Sequence, residues 1–266
     1  MSFKWMALCV CAGPLLAHSL YLLPVKFHAA SGGEVVFSVH NGDAFPESED
    51  AADPARILDA KLTGSDGQWA IQDFKRWGKA THSAVKTPRA EAYWISLHTM
   101  PRTLSLEPAK FDQYLRDEGL EWVIDWRAKH DEAQKPSRER YSKHAKTYLT
   151  AGKGDVWQKP LGLEIEIVPE ADPAALKPGE RLPVRLFWHG KPAAGIRVER
   201  AWAEPAGGKG VEVVGRTDAE GRMTVLVDKA GRWRLHAVAM ERARNDAEAD
   251  WVSYWASMTF EVRNDD

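Results

Sequence analysis

The chain has 266 residues, 44% of them hydrophobic, with 36 Lys and Arg against 38 Asp and Glu and a formal net charge of -2. That balance excludes wholesale disorder and the basic field that nucleic acid demands, so no nucleic-acid partner is expected. At roughly 100–200 residues per domain the length allows one large domain or two modest ones.

Residues 1–17 have the layout of a cleavable secretory signal: Lys4, an apolar run from Met6 to Leu16, and Ala17 before a polar residue. The run falls short of the roughly 20 apolar residues that span a bilayer. Cleavage after Ala17 is expected to leave His18 as the new first residue, and to remove Cys9 and Cys11 with the leader. The mature protein then has no thiol, which excludes a disulfide, a thiolate metal site and a cysteine nucleophile. No later apolar stretch is long enough to serve as a membrane anchor.

From Tyr21 the pattern alternates as half-buried antiparallel strands do. Tyr21–Phe27 and Val35–Val39 form an expected hairpin across a Gly-rich turn, ended by Asn41-Gly42-Asp43. In the expected register odd-numbered apolar residues face the core, His28 sits near Val35, His40 sits near Leu23, and Asp43 is carried back toward His18. Further strands are expected at Arg56–Leu62, Trp69–Phe74, Ala92–His98 and Arg102–Leu106.

The period then becomes helical. Phe111, Tyr114, Leu115 and Glu118 share a stripe, Gly119 is placed to cap it, and Trp122, Val123 and Trp126 mark a second helix. Arg138 to Thr150 fits helix or strand equally, and Glu139, Tyr141, Lys143 and Lys146 within it read as a charged face anchored by Tyr141. After a linker at Lys153–Pro160 come about seven strands: Leu163–Val168, Leu182–Trp188, Ile196–Trp202, Val211–Arg216, Met223–Val227, Trp233–Ala239 and Val252–Val262. Seven short strands with explicit turns suit an immunoglobulin-like sandwich. The expected fold is therefore mainly β: a domain over 18–156 with a short helical insertion around 108–133, and an immunoglobulin- or transthyretin-like domain over 157–266.

Several segments resemble a bacterial periplasmic family known as domain of unknown function 4198, described as nickel- or cobalt-uptake-like (NikM-like). They are Ala17-His18 with Tyr21-Leu22-Leu23-Pro24, Glu107–Leu120, Arg138–Lys146, Leu161–Pro173, Thr217–Gly221 and Ala249–Phe260. The resemblance implies a periplasmic location, a β-sandwich C-terminal half, a link to transition-metal transport, and a membrane metal transporter as partner.

A terminal His18 would offer an α-amine and an imidazole, which suit copper or nickel in tetragonal geometry. Asp43 and then His40 are its nearest expected partners, while His98, His144 and His236 come from strands that sequence cannot place. No HxH or HExxH spacing occurs, and neither does a GxSxG elbow or a phosphate-cradling loop, so an enzyme is not expected. The expected function is a periplasmic accessory protein that binds a divalent transition metal, nickel, cobalt or copper. The alternative is a cell-envelope ligand-binding or adhesion module without metal. It would work through Trp251 and Trp255, which the alternation sets on the face opposite Tyr254 and Met258, either as a surface or as a filled interface between domains.

Overall fold

Alternation becomes strand along most of the computed structural model, which describes residues 18–264. The expected signal segment lies outside the described residues. In chain order the first strands are β1 (Leu20–Pro24), β2 (Glu34–Asn41), β3 (Asp50–Ala51), β4 (Ile57–Thr63), β5 (Gln68–Ala70), β6 (Lys75–Trp77), β7 (Ala80–Lys86), β8 (Ala92–Thr99) and β9 (Arg102–Leu106). Helices α1 (Pro108–Asp117) and α2 (Glu121–Lys129) follow. The remaining strands are β10 (Ser137–Thr150), β11 (Ile165–Pro169), β12 (Glu180–Trp188), β13 (Lys191–Pro192), β14 (Arg197–Ala203), β15 (Lys209–Arg216), β16 (Arg222–Val227), β17 (Gly231–Arg242) and β18 (Trp251–Val262).

The protein is mainly β, as the sequence leads one to expect, and its strands form three sheets. A nine-stranded sheet runs β15-β14-β17-β18-β10-β8-β4-β5, with β9 also on β10. Its centre is the parallel pairing of β10 with β18, Glu139 opposite Trp251 through to Thr147 opposite Thr259. The nine-stranded sheet therefore crosses the expected boundary at 156/157 and serves both halves of the chain.

The two smaller sheets cover opposite faces of the large one. On one face β1, β2 and β7 bring Leu20, Leu22, Val35, Phe37, Val39 and Val85 against Leu62, Tyr93, Ile95, Leu97, Ala145 and Leu149. On the other, β11, β12 and β16 bring Ile165, Ile167, Leu182, Leu186 and Val225 against Trp233, Leu235, Ala256, Met258 and Phe260. Trp94 and Tyr148, from β8 and β10, point into that second core. Period-2 alternation explains how neighbours on one strand feed different cores. Strand β1 is buried throughout, because Tyr21 and Leu23 pack with Phe27, Phe45 and Ala201 while Leu20 and Leu22 face the other way.

The helices close a third cluster. Phe111, Tyr114 and Leu115 share one helical face and pack with Val123, Val238, Met240, Trp251 and Trp255. Gly119 follows α1 with a φ of 70°, a conformation that glycine adopts without steric penalty.

The segment that fits helix or strand is a 14-residue strand, and one expectation about it is corrected: its supposed charged face is interior, since Glu139, Lys143 and Lys146 are all buried. Lys146 Nζ meets Glu166 at 2.7 Å, with both side chains 1% exposed. Glu166 also accepts from the backbone N–H groups of Leu161 and Gly162. A central strand buries both of its faces, so these polar groups are interior, Lys146 paired with Glu166 and the other two hydrogen-bonded to neutral partners.

Candidate metal centre

The site begins with the pairing of β1 and β2. Leu20 lies opposite Asn41 and Tyr21 opposite His40, a register shifted by two positions from the expected one. Continued outward, it sets His18 beside Asp43: the ring Nδ1 is 3.0 Å from Asp43 Oδ2. The backbone N–H of Ser19 donates to Asp43 Oδ1 at 3.0 Å and the N–H of Gly42 donates to the Ser19 carbonyl, so the loop is tied to the strand.

Gly42 lets that loop turn back on itself. A Cβ on this residue would stand 3.0 Å from both the Glu47 carbonyl oxygen and the Glu49 nitrogen. The turn brings Glu49 to the other side of the imidazole, with Oε2 3.5 Å from His18 Nε2. Glu49 Oε1 accepts from the Asp43 N–H at 3.1 Å. One donor atom from each of His18, Asp43 and Glu49 lies within 4.8 Å of the other two. The imidazole is 21% exposed and the carboxylates are 57% and 44% exposed, so the cluster opens to solvent.

From behind, β10 secures the cluster. Lys143 Nζ donates to the His18 carbonyl and, at 3.0 Å, to Asn41 Oδ1. The ammonium lies 5.6 Å from the Tyr141 ring centre and 5.7 Å from that of Trp255. Burial, reinforced by the charge of Arg56, pushes Lys143 down to about 7.

The other expected ligands lie elsewhere. His40 stacks on Tyr21 at 5.2 Å and its Nε2 meets Ser38 Oγ at 2.7 Å. Burial, with His82 and Arg232 adding to it, pushes His40 down to about 4. The register sets it against Tyr21 and away from the open end of the loop. His98 stacks on His144 at 5.7 Å. Both occupy even positions of β8 and β10, which face away from the β1 sheet. His236 is held between the Ala256 carbonyl at 3.1 Å and Glu118 Oε2 at 3.2 Å, under the end of α1. His28, also displaced from its expected neighbour, bridges to Thr150 with Nδ1 2.6 Å from Oγ1.

Glu49 was not among the expected ligands. Its only sequence signal is the acidic run Glu47-Ser48-Glu49-Asp50 after the turn, and no periodicity selects one acid from such a run. Trp251 and Trp255 offer no surface: they are 0% and 2% exposed. Trp251 meets Trp122 and Trp126 edge-on, while Trp255 stacks with Tyr114 at an interplanar angle of 4°. They fill the interface between the sheet and the two helices.

Fold and site together define a β-sandwich protein with one imidazole and two carboxylates gathered at a strand end. The chain belongs to the family described as "Domain of unknown function (DUF4198)", whose model matches residues 15–241. No curated protein sequence matches it. Among solved structures it is similar to a DUF4785 family protein from Legionella pneumophila subsp. pneumophila str. Philadelphia 1, at 8% identity and a TM-score of 0.26, over 81% of this chain and 50% of that one. The chain thus spans half the length of that relative. It is also similar to the adhesin InvE of Yersinia pseudotuberculosis, at 11% identity and a TM-score of 0.23, over 94% of this chain and 62% of the adhesin. Murine CEACAM1b gives 8% identity and a TM-score of 0.20 over 93% of this chain and 99% of its own.

Proposed function

We propose that the protein is a periplasmic transition-metal-binding accessory protein that holds nickel, cobalt or copper at His18, Asp43 and Glu49 and serves uptake or homeostasis of that metal. The observation that carries the reading is the convergence of one imidazole and two carboxylates within 4.8 Å. The donor chemistry fits: nitrogen and oxygen ligands suit divalent nickel, cobalt and copper, and two carboxylates balance the charge of a divalent ion. Each carboxylate is already fixed by a backbone N–H, Ser19 for Asp43 and Asp43 for Glu49, which is the outer support that metal-binding carboxylates ordinarily have. Export with cleavage after Ala17 would add the His18 α-amine to the same ion. A membrane metal transporter is the partner that this role calls for.

A half-buried histidine between two exposed acids is also an ordinary ion pair, worth about 0–1 kcal/mol. The two explanations part in the binding experiment. The mature protein is expected to bind about one equivalent of nickel or copper by titration calorimetry, with affinity that falls on acidification because metal and protons compete for the same atoms. His18→Ala is expected to remove that equivalent, and Glu49→Gln to weaken it about 10-fold or more. Equal stoichiometry and affinity in wild type and His18→Ala would dismiss the site, and an intact leader by mass spectrometry would remove the α-amine from it.

A further inference from the structure

Beside His18 the surface opens into a cleft of about 770 Å³, within the range of about 300–1,000 Å³ usual for small-molecule sites. Four cationic side chains line it, Arg56, Arg76, Arg102 and Lys143, against two acids, Asp50 and Asp53. Arg76 pairs with Asp53 at 3.1 Å. The other three form no ion pair within 4.0 Å among the described residues. Arg56 donates to the Met100 carbonyl at 3.0 Å and lies 5.4 Å from the Tyr141 ring centre. Lys143 donates to a carbonyl and an amide oxygen. Arg102 has no ion-pair partner among the described residues. Two guanidinium groups without a carboxylate partner, Arg56 and Arg102, therefore share the cleft with one unpaired acid, Asp50, while Lys143 lies in the field of Asp43, Glu118 and Glu139.

We infer that the cleft holds the carboxylate groups of a small polycarboxylate chelator that stays on the metal at His18, so that the protein takes up a metal–carboxylate chelate in place of a bare ion. The inference rests on the proposed metal reading of His18. Two features connect cleft and cluster. His18 belongs to both, lining the cleft while it faces Asp43 and Glu49. Charge supplies the second: a divalent ion with Asp43 and Glu49 is neutral, and the four donors of the mature site, the His18 α-amine included, leave about two of the six positions of an octahedral ion open. A neutral metal centre gives an anionic ligand no net attraction of its own, whereas the guanidinium groups of Arg56 and Arg102 beside it do. Arginine forks match carboxylate oxygens in bidentate fashion, which favours a ligand with several carboxylates over a single small anion.

Nickel binding to the mature protein is measured by calorimetry alone, with citrate as the tricarboxylate probe, and with inorganic phosphate at matched ionic strength. Citrate binding is followed separately by equilibrium dialysis with and without nickel. Nickel and citrate are expected to raise each other's affinity about 10-fold, as reciprocal coupling requires, with one citrate retained per nickel. That mutual enhancement is expected to collapse toward unity in Arg56→Gln. Because Arg56 also ties the turn before β4 to Met100, the exposed Arg102→Gln is the second variant, expected to lose part of it. Citrate that strips nickel as it would in free solution, an enhancement unchanged in both variants, or an equal enhancement by phosphate would each overturn the inference while leaving the metal site standing. Absence of nickel, cobalt and copper binding without citrate, with citrate still retained, would instead overturn the metal reading and the chelate with it.

Discussion

Glu139 is a carboxyl group enclosed by hydroxyls. Its Oε1 accepts from Tyr114 at 2.8 Å and from Ser253, whose hydroxyl in turn accepts from the Trp255 indole N–H at 3.0 Å. Its Oε2 has no partner among the described residues. Burial is the leading cause that pushes Glu139 up from 4.5 to about 7, against the hydrogen bonds that favour the charged form. A carboxyl raised in this way keeps a proton in the folded state that the unfolded chain has already released. Its contribution is therefore complete below the ordinary carboxylate range and lost as pH rises from 4.5 to about 7. Urea midpoints are expected to fall across that window, and Glu139→Gln, which keeps an acceptor for both hydroxyls, is expected to flatten that part of the fall. An identical slope in both proteins would mean that Glu139 does not carry this proton.

Among the elements, the loop from Gly42 to Glu49 has the least tolerance. Gly42→Ala would drive a methyl group into the Glu47 carbonyl and the Glu49 nitrogen, both at 3.0 Å. It is expected to displace Glu49 and weaken metal binding about 10-fold. Thermal stability is expected to drop by only about 1–3 kcal/mol, the usual range of a local overpacking. Calorimetry beside a melting curve checks both, and unaltered binding would free the loop of any role. The pairing of His18 with Asp43 was legible because hairpin geometry alone carries residue 43 back along the strand. Glu49 was not, since its place depends on how a glycine-led turn folds rather than on any repeat. The segment Arg138–Thr150 was illegible for a different reason: alternation signals one buried face, whereas a strand between β18 and β8 buries both, and its lysines and glutamate find partners that lie far away in sequence. The helix lid was readable from Phe111, Tyr114 and Leu115, and it buries the Trp251 and Trp255 face of β18. Trp255→Ala is expected to cost about 3–5 kcal/mol, measured by denaturant unfolding, with metal binding retained in the folded fraction.

At the scale of the molecule, seven C-terminal strands could be read one by one, yet their sharing of a sheet with the first half could not. Strand existence follows from local alternation, whereas sheet membership depends on pairings such as that of Thr147 with Thr259, 112 positions apart. Residues 157–266 expressed alone are expected to aggregate, judged by light scattering and the absence of a cooperative melt. Their β18 would present an open edge along the nine positions that β10 normally covers. A soluble, cooperatively melting fragment would show that the parallel pairing is dispensable. The position of β18 also sets an order of events. It follows every other strand in the sequence yet lies between β17 and β10, so a chain emerging from the ribosome holds two unfinished strand borders until those twelve residues arrive. Quality-control factors that shield such borders are the ones on which the yield of this protein is expected to depend.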